Sequence, residues 1–232
     1  MAEAPRIHFA SHWLTIQPSL FDFLEDEVGE LDDNQRLFVR IAESVELGRI
    51  ARKYGWCGNG RKPSSRLAMF KMFVMKHVWN FPTTKDALAE VRRCPSMRRL
   101  CGWESQSDIP SESTISRTFG DFAVDEIASS LFKDFVKKVA RGRIVIHRSI
   151  DSTEIDARES AATRDEKAAA AGIAPAEKIR FRNRSGVERV NGHLHDAHGG
   201  RTVRVRGHAK VLLHLMLGLL VIAVEQSAQM LC

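Results

Sequence analysis

Apolar residues recur at helical spacing through most of the 232-residue chain. From Asn34 onward, Leu37, Phe38, Ile41, Ala42 and Val45 return at three- and four-residue intervals. This predicts an amphipathic helix ending near Gly48, with Asp32 or Asp33 as its cap. Leu67 to Trp79 is apolar on almost every side, which predicts a helix central to a core, its methionines acting as packing filler. Thr83 and Asp86 have capping-box spacing and open a helix through Ala87, Leu88 and Val91 that Cys94-Pro95 stops. A short basic turn, Met97 to Leu100, closes at Gly102. Pro110 followed by Ser and Thr then marks another helix start. Val124, Ile127, Ala128, Leu131, Phe132, Phe135, Val136 and Val139 form the most regular stripe, ended by Gly142. Val203 to Gln229 reads as a long apolar helix. Its unbroken apolar run, Val211 to Val224, holds His214 and falls short of the ~20 residues of a membrane span, so it predicts a buried core helix.

Between these last two helices the pattern changes. Arg143 to Ile150 is a short β-branched run, a strand candidate, with Asp151 at its end. A carboxylate there suits a metal ligand and equally an ordinary turn. Residues 161–172 are low in complexity and read as a linker or a poorly packed helix. Residues 178–195 predict a basic helix.

Charge adds a location to this outline. Residues 1–50 hold 4 basic and 10 acidic side chains, whereas residues 51–110 hold 12 and 4. The positive charge is concentrated where a phosphate backbone could be met, or on a merely solvated face. Arg61, Lys62 and Arg66, around a Gly-rich loop, are candidate phosphate contacts. So is the polar face Ser113, Thr114, Ser116 and Arg117, in a segment that forms a helix-turn-helix-like unit or a plain helical hairpin. Cys57, Cys94, Cys101 and Cys232 form no close pair, which argues against a zinc site or disulfide framework. With no basic-then-apolar leader at the N-terminus, a cytoplasmic protein is expected. His193, His195, Asp196 and His198 suit a transition metal by type, but Gly199-Gly200 and the basic neighbours mark an exposed loop instead.

Gly60-Arg-Lys-Pro63, the apolar helix after it and Ile109-Pro-Ser-Glu-Ser-Thr-Ile-Ser-Arg117 together resemble the N-terminal domain of bacterial insertion-sequence transposases of the DDE type. Ile150-Asp-Ser-Thr-Glu-Ile155 resembles the strand end carrying their first catalytic Asp. The later family signature is Tyr, Arg, Glu, Lys, and Phe181, Arg184, Glu188 and His195 stand at its spacing. The resemblance covers residues 55–155 and 178–228. It implies a mainly α chain: an all-helical N-terminal domain with a helix-turn-helix-like unit, then a remnant α/β, ribonuclease H-like core reduced to a short strand and C-terminal helices. The implied divisions are an acidic region at 1–54, a basic DNA-binding domain at 55–141 and a truncated catalytic remnant at 142–232.

The resemblance also implies chemistry. Asp151 and Glu188 would be the first and third ligands of two Mg²⁺ ions that promote in-line attack on phosphate. Arg184 would orient Glu188 from one helical turn away. His195, in place of Lys, would contact DNA. The partner would be DNA, namely the terminal inverted repeats of a mobile element, with a homo-oligomer possible and no membrane. The chain departs from the pattern at Phe181, at His195 and above all between Asp151 and Glu188, where the strands and the second Asp do not read. Asp156 and Asp165 are the aspartates in that interval, and neither follows an apolar run. The expectation is therefore an internally deleted transposase that binds DNA without cutting it. Against it stand an active enzyme using Asp156 or Asp165, and a helical protein-interaction module with no nucleic-acid role.

Overall fold

Asp32 starts the first helix through a reciprocal cap. Its Oδ1 accepts from the Gln35 amide at 2.7 Å, and the Gln35 side chain accepts from the Asp32 amide at 3.0 Å. That helix, α1, spans Asp33–Ser44. In this computed structural model, residues 30–56, 58, 63–140, 188–201 and 203–229 are described. The short α2, Gly48–Lys53, follows, so Gly48 opens a helix where the sequence predicted an end. Next come α3, Arg66–Val78, and α4, Thr84–Arg93. The predicted cap of α4 is present, with the Asp86 amide donating to Thr83 Oγ1 at 3.1 Å and the Thr83 amide to Asp86 Oδ2 at 3.1 Å. Cys94-Pro95 ends α4 as read, and Pro95 also opens α5, Pro95–Cys101, where its missing N–H costs nothing. Gly102 closes α5 at φ 99°, a left-handed conformation that favours glycine.

A 3₁₀ turn at Gln106–Asp108 leads to α6, Glu112–Val124, and then to α7, Ile127–Ala140. The Val124–Val139 stripe is thus two helices. It breaks at Asp125 and at Glu126, whose φ is 49°, and Val124 is left 80% exposed. Residues 188–197 are helical (α8), and α9 spans His208–Gln229. The described residues contain helices and no strand. The strand expected over 143–150 and the linker expected over 161–172 lie outside them.

Two compact units divide the chain: Met1–Arg141 with Leu194–Cys232, and Gly142–His193. In the first, α3 is the axis. Met69, Phe70, Met72, Phe73 and Met75 are all buried, as a helix apolar on every side requires. Phe73 meets Phe119 and Phe122 of α6 at ring separations of 5.0 and 6.1 Å, both edge-on. Phe38 of α1 meets Trp79 at 6.1 Å. By length and composition His208–Ser227 could cross a membrane, yet Leu213, Leu217, Leu220 and Val221 of α9 are buried in this core against α1, α3, α6 and α7. Each such side chain contributes about 1.5–3 kcal/mol on burial. The sequence had placed α9 in a separate C-terminal remnant. Its apolar faces instead complete the helical core that α1 and α3 begin.

Candidate nucleic-acid interface

Helix α6 presents the polar face read from the sequence. Ser111 caps it, accepting from the Thr114 amide at 3.4 Å. Ile115, Thr118, Phe119 and Phe122 anchor one side in the core, which turns Ser113, Ser116 and Arg117 to solvent. Arg117 is held along the helix by its Nε–H, which donates to the Ser113 carbonyl at 3.3 Å. Thr114 is half-buried, its hydroxyl 3.0 Å from that of Ser111. Glu112 in the first turn stabilises the helix but would repel a phosphate at its very end. The usable contacts are therefore side chains one turn further on.

The candidate arginine in α3 is committed elsewhere. Arg66 Nη1 donates to Asp121 Oδ2 and to Thr118 Oγ1, each at 2.7 Å, and its guanidinium lies 5.6 Å from the Tyr54 ring centre. The network continues. Lys53 Nζ lies 2.8 Å from Asp125, whose other oxygen accepts from the Tyr54 hydroxyl. Lys53 first, then Tyr54, holds the Asp125 carboxyl below its ordinary range. Burial, with Asp125 next, pushes the Tyr54 hydroxyl up, so it stays protonated as a donor. These groups join α2, α3 and α6. Arg61 and Lys62 lie outside the described residues.

Much of the basic surplus of residues 51–110 is consumed within the fold. Lys71 and Lys76 are buried, and desolvation lowers both amines, Lys76 to about 8. Arg52 pairs with Glu46 at 3.0 Å and Arg93 with Glu90 at 2.6 Å. Arg92, Arg98 and Arg99 gather at the corner between α4 and α5. Arg98 Nη1 and Gln106 Nε2 both donate to the Arg92 carbonyl, at 3.2 and 2.9 Å. Arg92 Nη2 reaches the Pro110 carbonyl at 3.4 Å. The corner is thereby fastened beside the start of α6. Sequence reading noted the basic turn at 97–100 but not this adjacency; the signal was the pair of Arg-Arg steps flanking Cys94-Pro95. The α5–α6 connection, residues 102–111, is longer than the three- or four-residue turn of an ordinary helix-turn-helix.

Of the proposed catalytic set, Asp151 and Arg184 lie outside the described residues, as do Phe181, Asp156 and Asp165. Glu188 is exposed on α8 in the second unit. Its carboxylate is a suitable donor for Mg²⁺, but one ligand does not make a site. His195 is exposed on the same helix. The histidine cluster expected on a loop is partly helical, and His198 is 4% exposed.

Residues 26–121 match a family model described as a transposase domain (DUF772), a stretch that runs from before α1 into α6. No curated relative and no solved structure matches the chain. The match supports a transposase-family protein.

Proposed function

We propose that this chain is a DNA-binding transposase-family protein of an insertion element, of the DDE type by its later motifs, that no longer holds a complete three-carboxylate centre. The observation that carries this reading is the transposase-domain match, which ends within the helix bearing Ser113, Ser116 and Arg117. Arg92 supports it by joining the arginine corner to the start of that helix. In this reading the corner and Arg117 neutralise backbone phosphates, and Ser113 and Ser116 donate to phosphates or base edges. Asp151 and Glu188 are surviving ligands of a Mg²⁺ site whose second aspartate is missing.

Fluorescence anisotropy of the full chain on duplex DNA, across a salt series, tests the binding. Affinity should fall linearly on logarithmic axes, and Arg92→Ala, Arg99→Ala and Arg117→Ala should each flatten the slope by about one unit. A strand-transfer assay with Mg²⁺ should give no product. Product that disappears in Asp151→Ala and Glu188→Ala would overturn the inactive reading. A second reading, a helical interaction module, is favoured by the burial of Lys71 and Lys76 and the pairing of Arg52, Arg66 and Arg93. Absence of binding at low salt would select it.

A further inference from the structure

His77, near the end of α3, and His198, just after α8, hold each other through the backbone. His77 Nδ1 lies 2.9 Å from the His198 carbonyl oxygen, and His198 Nδ1 lies 3.0 Å from that of His77. A carbonyl only accepts, so each Nδ1 carries the proton. Two further side chains take carbonyls of the same stretch. His214 of α9 donates from Nε2 to Gly199 at 2.9 Å, and Asn80 donates to Asp196 at 3.0 Å. Glycines make room for the approach. At Gly199, φ is 79°, and a Cβ there would stand 3.4 Å from both His77 and His214. At Gly218 a Cβ would stand 2.9 Å from the His198 carbonyl oxygen.

We propose that His77 is the acid-sensitive pin of a latch that seats residues 194–200 on α3 and α9. The inference stands apart from the DNA reading. A second proton on His77 must go to Nε2, which is buried with no hydrogen-bond partner among the described residues. Among the described residues the resulting imidazolium would face a lysine and two imidazoles, and no carboxylate. On α9 it meets His214, with ring centres 4.5 Å apart; on its own helix, Lys76; on the docked segment, His198. Asp86 of α4 acts on Lys76, and Glu225 of α9 lies 3.7 Å from His198 Nε2. Among the described residues, protonated His198 therefore finds a counter-charge and protonated His77 does not. Burial first, then His214 and Lys76, holds the His77 imidazole well below its ordinary value, and burial lowers His214 too. The closed latch is thus neutral, whereas an opened His77 takes a proton near 6.5. Closure is fully favoured above that pH and is lost as pH falls below it, by up to about tenfold per unit for each histidine released.

Hydrogen exchange on the full chain between pH 7.5 and 5.5 tests this. The reporters are the His198 and Gly200 amides, which donate to the Leu194 carbonyl at 3.3 and 2.9 Å. After correction for intrinsic exchange chemistry, protection in 194–200 should fall at least about tenfold while α6 amides hold theirs. His77→Asn keeps a donor near the Nδ1 position but cannot titrate, and at pH 5.5 it should retain more protection than the parent chain. Protection that is flat with pH, that falls in step with α6, or that falls equally in His77→Asn would overturn the proposal. If that variant does not fold, the wild-type comparison still decides, together with His198→Asn. The latter should keep the acid response, and losing it would move the role to His198 and overturn the assignment.

Discussion

Arg66 Nη1 stands 2.7 Å from Asp121 Oδ2, and this pair ties α3 to α6 beneath the Tyr54 ring. The Arg66 side chain is 28% exposed, so the pair is worth more than a surface contact but is still screened. Arg66→Ala should lower the unfolding free energy by about 1–2 kcal/mol in urea, through lost hydrogen bonds and lost stacking. DNA affinity of the folded fraction should change less than in Arg92→Ala. A larger affinity loss in Arg66→Ala would return this arginine to the phosphate contacts.

Two glycines should respond oppositely to the same change. A Cβ on Gly120, inside α6, would meet only Lys210 Cε at 3.6 Å, an ordinary contact. Gly120→Ala should therefore raise stability by about 0.5–1 kcal/mol through helix propensity. A Cβ on Gly218 of α9 would fall 2.5 Å from Leu194 Cδ1 and 2.9 Å from the His198 carbonyl. The leucine can swing away but the carbonyl is held, so Gly218→Ala should cost about 1–3 kcal/mol. Thermal melts of the two variants should move in opposite directions.

Removing the α4 cap should isolate a local effect. Thr83→Ala deletes the hydroxyl that accepts from the Asp86 amide, and Asp86 keeps only the Thr83 amide as a donor from that residue. A loss of about 1 kcal/mol is expected. Thr83→Ser should restore most of it, which separates capping from packing of the methyl group.

What the sequence revealed follows from how local the information was. The caps at Asp32 and Thr83 and the all-round apolar α3 depend on residues within one or two turns, and each forms as read. The Val124–Val139 stripe misled because the apolar phase of α6 runs on into α7 across the break. At the break Asp125 is held by Lys53 and Tyr54, residues far away in sequence. Composition likewise counted Lys71 and Lys76 as surface charge, although their positions in an apolar helix bury them. The exposed face of α6 was legible from its own periodicity. The arginine corner was not, because its place beside Pro110 is a tertiary fact.

Lys76 offers the clearest test of that buried charge. It is 6% exposed, and desolvation, opposed by Asp86, brings its amine down to about 8 from the 10.5 of a free lysine. A folded value below the unfolded one means the unfolded chain binds the extra proton between those two pH values. Stability should therefore rise as pH climbs from about 8 towards 10. Below 8 both states are charged, and the fold carries the full desolvation cost. Lys76→Met keeps the aliphatic length and removes the charge. It should raise stability at pH 7 by about 1–3 kcal/mol and flatten the rise above pH 8. Urea melts at pH 7 and 9.5 check both effects. A variant less stable than the parent at pH 7 would mean the amine holds a partner worth more than its burial costs.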